Sequence, residues 1–234
     1  MQYNDFSGLI LVNKPTGITS FKLVHIIKKK LNVKKAGHCG TLDPLASGLM
    51  IILVGKYTKF QDKFMKQDKV YRATIKFGIK TDSGDLDGKI ISKSDFSHVT
   101  KELTEQACKS FIGKINQIPP MYSALKINGQ KLYELARKGI TVERKAREIT
   151  FYSIDLTDYQ KDNFSIRVKC SSGTYIRTLS EDIGTKLKTD TVVTNLIREE
   201  IGNFKLSDAL NIDDIKENDN SCLKQVDFLN NKFI

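Results

Sequence analysis

Between Gly37 and Gly48 the chain reads Gly-His-Cys-Gly-Thr-Leu-Asp-Pro-Leu-Ala-Ser-Gly. Three glycines allow close backbone approach, and Pro44 pushes the residue before it toward an extended conformation, so the loop presents Asp43 as one carboxylate in a fixed pose. A carboxylate held this way can serve as nucleophile or base. A purely structural loop uses the same residues for an Asx-type turn or a cap, and pattern alone leaves both readings open. A second place suited to chemistry lies downstream. Phe164, Ile166, Val168 and Cys170 alternate with polar neighbours as a strand would, Gly173-Thr174 breaks it, and a helix is expected from near Tyr175 to near Lys188. Strand, glycine turn and helix start form a natural seat for a functional arginine, Arg177. Further acids occur in the turn TDSGDLDG, at Asp82, Asp85 and Asp87. Its spacing fails the D-x-[DN]-x-[DN]-G calcium pattern and lacks the closing Glu.

The elements around these residues are legible from periodicity. Leu9-Ile10-Leu11-Val12 is an apolar run ending at Lys14-Pro15-Thr16-Gly17, a buried strand and a turn. A helix follows, capped by Thr19 or Ser20, with Leu23, Ile26, Ile27 and Leu31 at helical spacing and Lys28, Lys29 and Lys30 where cations suit the dipole. Leu49 to Val54 reads as another buried strand. From Val70 to Gly78, Tyr71, Ala73, Ile75 and Phe77 alternate with Arg72, Thr74 and Lys76, as on a half-exposed strand. Leu103, Ala107, Phe111 and Ile115 recur every four residues and predict a second amphipathic helix over 99–115. Asn128-Gly129 predicts a tight turn, with a short helix at Leu132, Leu135 and Ala136. No repeat, low-complexity linker or Pro/Ser-rich seam divides the chain, so one α+β domain on a mixed, largely antiparallel sheet with flanking helices is expected. The segment after Gly202 is short and polar.

Length and composition set the class. The chain has 234 residues, 40% of them hydrophobic, enough for a large core without disulfides or metal. Cys39, Cys108, Cys170 and Cys222 form no C-x-x-C pair, and no metal-ligand spacing is present. Free thiols in a reducing cytosol follow as the expectation. Neither a signal peptide nor a membrane span is expected. Thirty-eight Lys and Arg against 27 Asp and Glu give a net charge of +11, which suits a polyanionic partner. Neither a G-x-G-x-x-G nor a G-x-x-x-x-G-K-[ST] motif occurs, so no nucleotide cofactor is expected.

The stretch GHCGTLDPLASGLMIILVG closely resembles the G-H-x-G-x-L-D-P-x-A-[ST]-G signature of the TruB family of tRNA pseudouridine-55 synthases. LILVNKPTGITS resembles the family's N-terminal strand and K-P turn, KVYRATIKFGIKTDSGDLDG its tyrosine-bearing segment, and QIPPMYSALKINGQKLYELARKG its P-x-[YF]-S-A-x-K segment. SSGTYIRTLSEDIG and NLIREEIGNF complete the set, in family order over about residues 8 to 204. The resemblance implies the pseudouridine synthase catalytic fold over 1–204 and isomerisation of uridine to pseudouridine at position 55 of the tRNA T-loop. It implies Asp43 as the essential carboxylate and nucleophile, and Arg177 as the arginine that pairs with it. Tyr71 is implied to stack on the flipped base and to share in the later proton removal at C5. Tyr175 and Leu196 would line the uracil pocket, His38 would contact extruded nucleotides, and Lys14 would sit beside the active site. The implied isomerisation is redox-neutral and needs no cofactor or metal. The implied partner is tRNA, met in the cytoplasm by a monomer without guide RNA.

Two departures carry expectations of their own. Many relatives bear a C-terminal RNA-binding module of the PUA kind, whereas residues 205–234 offer only a short appendage, so affinity should rest on the catalytic domain's lysines and depend strongly on salt. Cys39 occupies a variable position of the signature near Asp43, which suggests thiol sensitivity. Two other readings remain. An RNA chaperone using the same surface would leave Asp43 dispensable. A glycoside hydrolase would need a second carboxylate, for which only Asp82, Asp85 and Asp87 are candidates.

Overall fold

A computed structural model describes residues 2–127, 129–227, 232 and 233. In chain order, β1 (Gly8–Lys14), α1 (Ser20–Lys30), β2 (Ala36–His38) and β3 (Ser47–Val54) lead through a 3-10 turn into α2 (Gln61–Met65). β4 (Lys69–Phe77) is followed by β5 (Ile79–Thr81), β6 (Ile90–Lys93), α3 (Lys101–Lys109) and β7 (Gly113–Gln117). Then come β8 (Lys126–Ile127), β9 (Gln130–Lys131), α4 (Leu132–Ala136), β10 (Arg147–Tyr159), β11 (Asn163–Cys170) and α5 (Ile176–Leu187). β12 (Thr191–Ile201), β13 (Phe204–Lys205), β14 (Val226–Asp227) and β15 (Lys232–Phe233) close the chain. The chain forms two compact units, residues 72–196 and residues 1–71 with 197–234. The sequence shows no linker because β4 and β12 carry the chain from one unit to the other without leaving extended structure.

In the first unit β3 lies between partners. It pairs antiparallel with β1 from Gly8↔Val54 to Lys14↔Gly48, antiparallel with β2 at Ala36↔Val54 to His38↔Ile52, and parallel with β12 at Ile197↔Ser47 and Arg198↔Gly48. β1 and β3 read as unbroken apolar runs because both their faces are covered; Leu9 to Val12 and Leu49 to Val54 are all buried. Leu9, Leu11, Cys39, Leu49, Ile51, Leu53, Phe64, Ile201 and Phe204 make one cluster, while α1 turns Leu23, Ile27 and Leu31 inward. The tail after β13 runs along β1: Leu210 N–H donates to Leu11 O and its carbonyl accepts from Asn13 N–H, and Lys224 exchanges two such bonds with Leu9. An open strand edge is thereby satisfied.

The second unit holds an antiparallel array in which β11 lies between β4 and β10, and β10 between β11 and β7. β4 shows the expected alternation, with Tyr71, Ala73, Ile75 and Phe77 buried and Arg72 exposed. Phe164, Ile166, Val168 and Cys170 on β11 are fully buried, and Phe77 stacks on Phe164 with centroids 4.9 Å apart. The helix expected over 99–115 is shorter. α3 begins after Thr100, whose side chain accepts from Leu103 N–H, and ends at Lys109. Gly113 takes φ +114°, and Ile115 pairs with Ile149 across β7 and β10. The four-residue apolar spacing continued past a point where sheet pairing wins. Helix α3 buries Thr104, Ala107 and Cys108, leaving Leu103 44% exposed. β8 and β9 pair around the expected hairpin turn, in which Asn128 lies outside the described residues. No helix of the described residues is long and apolar enough to cross a membrane.

Candidate active site

Asp43 is half-buried, and the backbone on either side of it is pinned. Ser20, expected as a possible cap, does a different job: Thr19 caps α1 by accepting from Lys22 N–H at 3.0 Å, which leaves the Ser20 hydroxyl free for the loop. That hydroxyl is 2% exposed, donates to Leu42 O at 2.9 Å and accepts from Leu42 N–H at 2.8 Å. On the other side Gly17 N–H donates to Pro44 O at 2.8 Å, and Ala46 N–H donates to Asp43 O at 3.1 Å. The turn carrying Gly17 is itself held by Lys14. Its side chain is completely buried, and Nζ donates to Pro15 O at 2.9 Å and Ile18 O at 2.8 Å. Lys14 thus acts on the Asp43 loop through the K-P turn, its buried ammonium offset by carbonyl dipoles.

A residue that sequence reasoning missed completes the clamp. Arg198 on β12 is 1% exposed; Nε donates to Leu49 O at 2.8 Å, Nη2 to Gly40 O at 3.1 Å and Nη1 to Thr41 O at 3.4 Å. One planar guanidinium therefore holds carbonyls on both sides of Asp43, a geometry that a lysine point charge cannot reproduce. The signal was an arginine in phase with Leu196 on a strand whose other buried positions are Thr191 and the apolar Val192, Val193, Leu196 and Ile201. The close approach also explains Gly48. It takes φ +106°, and a Cβ there would stand 2.4 Å from Arg198 O.

His38 ends β2, half-buried, with its carbonyl accepting from Gln61 Nε2 at 3.0 Å. Burial, and then the Arg198 charge, hold its pKa below the ordinary histidine value, so the ring is neutral at pH 7. Nδ1 is buried and has no hydrogen-bond partner among the described residues. Cys39 corrects an expectation. It is fully buried in the apolar cluster, and burial raises its thiol to about 12 despite the opposing charges of Arg198 and Lys69. Thiolate is the reactive form, so proximity to Asp43 in sequence does not confer reactivity. Iodoacetamide at pH 8 is expected to leave Cys39 unmodified in the folded protein, read by peptide mass spectrometry, and to alkylate it only after denaturation.

Tyr71 is 9% exposed on β4, and the strand's entry is fixed two residues earlier. Lys69, 6% exposed, closes the end of α2 by donating to Met65 O and Gln67 O, where a cation also suits the helix dipole. In the second unit Tyr175 precedes α5, its N–H donating to Gln117 Oε1 at 2.8 Å and its carbonyl accepting from Gln117 Nε2 at 3.1 Å. Gln117, 2% exposed, is another positioning side chain that no motif indicated. Arg177, the second residue of α5, is 4% exposed. It donates to Ser83 O at 2.6 Å and Tyr122 O at 2.7 Å, and Nε lies 3.7 Å from Asp85 Oδ2. The acidic turn is thus an arginine holder. Asp85 accepts from Ser83 Oγ and Asp87 N–H, and Asp82 from Lys89 N–H and Tyr122 OH. Leu196 is 6% exposed on β12.

Each unit therefore organises its own share: Lys14, His38, Asp43 and Tyr71 in one, Tyr175, Arg177 and Leu196 in the other. The family model described as TruB family pseudouridylate synthase (N terminal domain) matches residues 28–176. A tRNA pseudouridine synthase B of Endomicrobium trichonymphae is 51% identical over 224 residues, covering 96% of this chain and 97% of that protein. One from Clostridium perfringens is 48% identical over 212 residues, covering 90% of this chain and 72% of that protein. Among solved structures, a chain in a Cbf5-Nop10-Gar1 complex aligns with a TM-score of 0.70 at 30% identity, over 88% of this chain and 53% of that one. The present chain spans about half of that structural relative.

Proposed function

Because the chain belongs to the TruB family of pseudouridylate synthases, we propose that it isomerises uridine 55 in the T-loop of tRNA to pseudouridine, with Asp43 as the reacting carboxylate. The observation that carries the assignment is the two-sided clamp on Asp43: Ser20 on Leu42, Gly17 on Pro44, and Arg198 on Gly40, Thr41 and Leu49. A loop that needed only to turn would not require three separate elements to fix one aspartate.

The chemistry breaks the C1′–N1 bond, rotates the uracil and joins C5 to C1′, after which C5 loses its proton. An ionised carboxylate can attack C1′ or remove the 2′ proton to give a glycal, and both routes demand that it be placed within a few tenths of an ångström. The uridine must first leave its stack, at a cost of a few kcal/mol. In this reading Arg177 keeps the carboxylate ionised. Tyr71 stacks on the extruded base and assists proton removal at C5, and Tyr175 and Leu196 wall the uracil. His38 offers its ring nitrogen to a flipped nucleotide, and Lys14 positions. No electrons are gained or lost, so the reaction needs no redox cofactor. Residues 1–204 are read as the catalytic part and 205–234 as an appendage to it. Relatives named for tRNA at 48% and 51% identity favour tRNA as the substrate, and the reading is completed by action without guide RNA, as a monomer in the cytoplasm.

The test is tritium release from tRNA labelled at uridine C5, with the purified chain alone. Release is expected from intact tRNA and not from tRNA in which cytidine replaces the T-loop uridine. Equal release from both, or binding of tRNA without any release, would overturn the assignment.

A further inference from the structure

Helix α1 turns Leu23, Ile27 and Leu31 inward and leaves Phe21, Lys22, His25 and Lys29 exposed. Spacings of three and four residues place these four side by side on one face. Phe21 is 79% exposed, the most of any large hydrophobic side chain among the described residues. Single exposed apolar residues are ordinary, so exposure alone argues nothing. Its company and attachment do. The eleven residues of α1 include Lys22, Lys28, Lys29 and Lys30 and no Asp or Glu, so the face suits a polyanion rather than a mixed-charge protein surface. Phe21 also follows directly on Ser20, the residue whose hydroxyl holds Leu42 beside Asp43, and the exposed Pro44 is tied to the turn that opens this helix. The face is therefore continuous with the loop that presents the carboxylate.

An aromatic ring flanked by ammonium groups is the arrangement that holds an unpaired nucleotide, the base on the ring and the phosphates on the cations. We propose that Phe21, Lys22 and Lys29 bind a nucleotide of the substrate RNA flanking the extruded uridine, Phe21 stacking on its base and the lysines meeting its phosphates. The proposal rests on the RNA-modifying reading above and adds a substrate contact to it.

The chain contains no tryptophan, so Phe21→Trp places a single reporter on this face. Titration with a T-arm RNA hairpin is expected to quench its emission. In the tritium assay Phe21→Ala is expected to raise KM about 10-fold with kcat nearly unchanged, the effect of losing one stacked base, whereas Phe21→Tyr keeps the native KM. Lys22→Ala and Lys29→Ala should each lower the salt dependence of binding. Unquenched emission and a native KM for Phe21→Ala, with the native chain releasing tritium from the same RNA, would overturn this contact and leave the synthase assignment standing. Absence of release by the native chain would overturn the assignment, and the quench would still decide what the helix face binds. Emission that responds to protein concentration but not to RNA would make the face a protein contact and overturn the proposal.

Discussion

Asp43→Asn is expected to abolish tritium release from C5-labelled tRNA, by about 10⁴-fold or more, as removal of a reacting group does. The substitution keeps size and shape but removes the charge that either route to C1′ requires. The clamp should survive it, because the bonds from Ser20, Gly17, Ala46 and Arg198 all involve backbone atoms of the loop. Melting temperature and tRNA affinity are therefore expected to stay near native values while turnover disappears. That split separates the synthase from an RNA chaperone built on the same surface. Native turnover by Asp43→Asn would remove Asp43 from the chemistry, and a variant that neither folds nor binds would show that the carboxylate holds the loop rather than reacts.

How much of this could be read beforehand depended on whether a residue's partner lay near it in sequence. β4 was legible because one face is buried, so Tyr71, Ala73, Ile75 and Phe77 alternate with polar neighbours. α1 was legible from Leu23, Ile27 and Leu31, with Thr19 as its cap. The Asp43 loop stood out through its motif, but the reason for its rigidity did not. Ser20 looked like one of two interchangeable caps, and Gln117 stood at the edge of the QIPPMYSALKINGQKLYELARKG segment, ahead of its motif and with no role of its own. Arg198 lay 155 positions past Asp43 in a strand that was not recognised, because β12 mixes polar and apolar residues along its length. All three hold backbone groups far away in the chain, and no local period encodes such a partner. The overlong helix at 99–115 is the converse error: a local period was trusted past Gly113, where pairing with β10 decides the structure. Cys39 shows a third limit, since nearness to a reactive residue in sequence says nothing of burial.

Arg198→Met offers the sharpest separation of positioning from reaction. Methionine fills much of the same volume but donates nothing, so the carbonyls of Gly40, Thr41 and Leu49 lose the guanidinium. Unsatisfied buried carbonyls cost about 1–3 kcal/mol each, less where water enters. The Thr41 contact at 3.4 Å is the weakest of the three. Over three carbonyls the cost sums to about 3 kcal/mol even at the low end, which for a chain of this length lowers the melting temperature by roughly 6–12 °C, so a folded variant should still be obtained at room temperature. Displacement of a reacting group by about 1 Å can cost about 10²-fold in rate, and Arg198 fixes the loop that presents Asp43 without being assigned any contact with RNA. Arg198→Met is accordingly expected to lower kcat about 10²-fold with KM within a few-fold of native, at a temperature where circular dichroism shows the fold intact. Arg198→Lys should recover only part of kcat, because one ammonium cannot follow three carbonyls fixed around a planar fork. A rise in KM at native kcat would place Arg198 in RNA binding instead, and native values of both would show that Ser20 and Gly17 hold Asp43 without it.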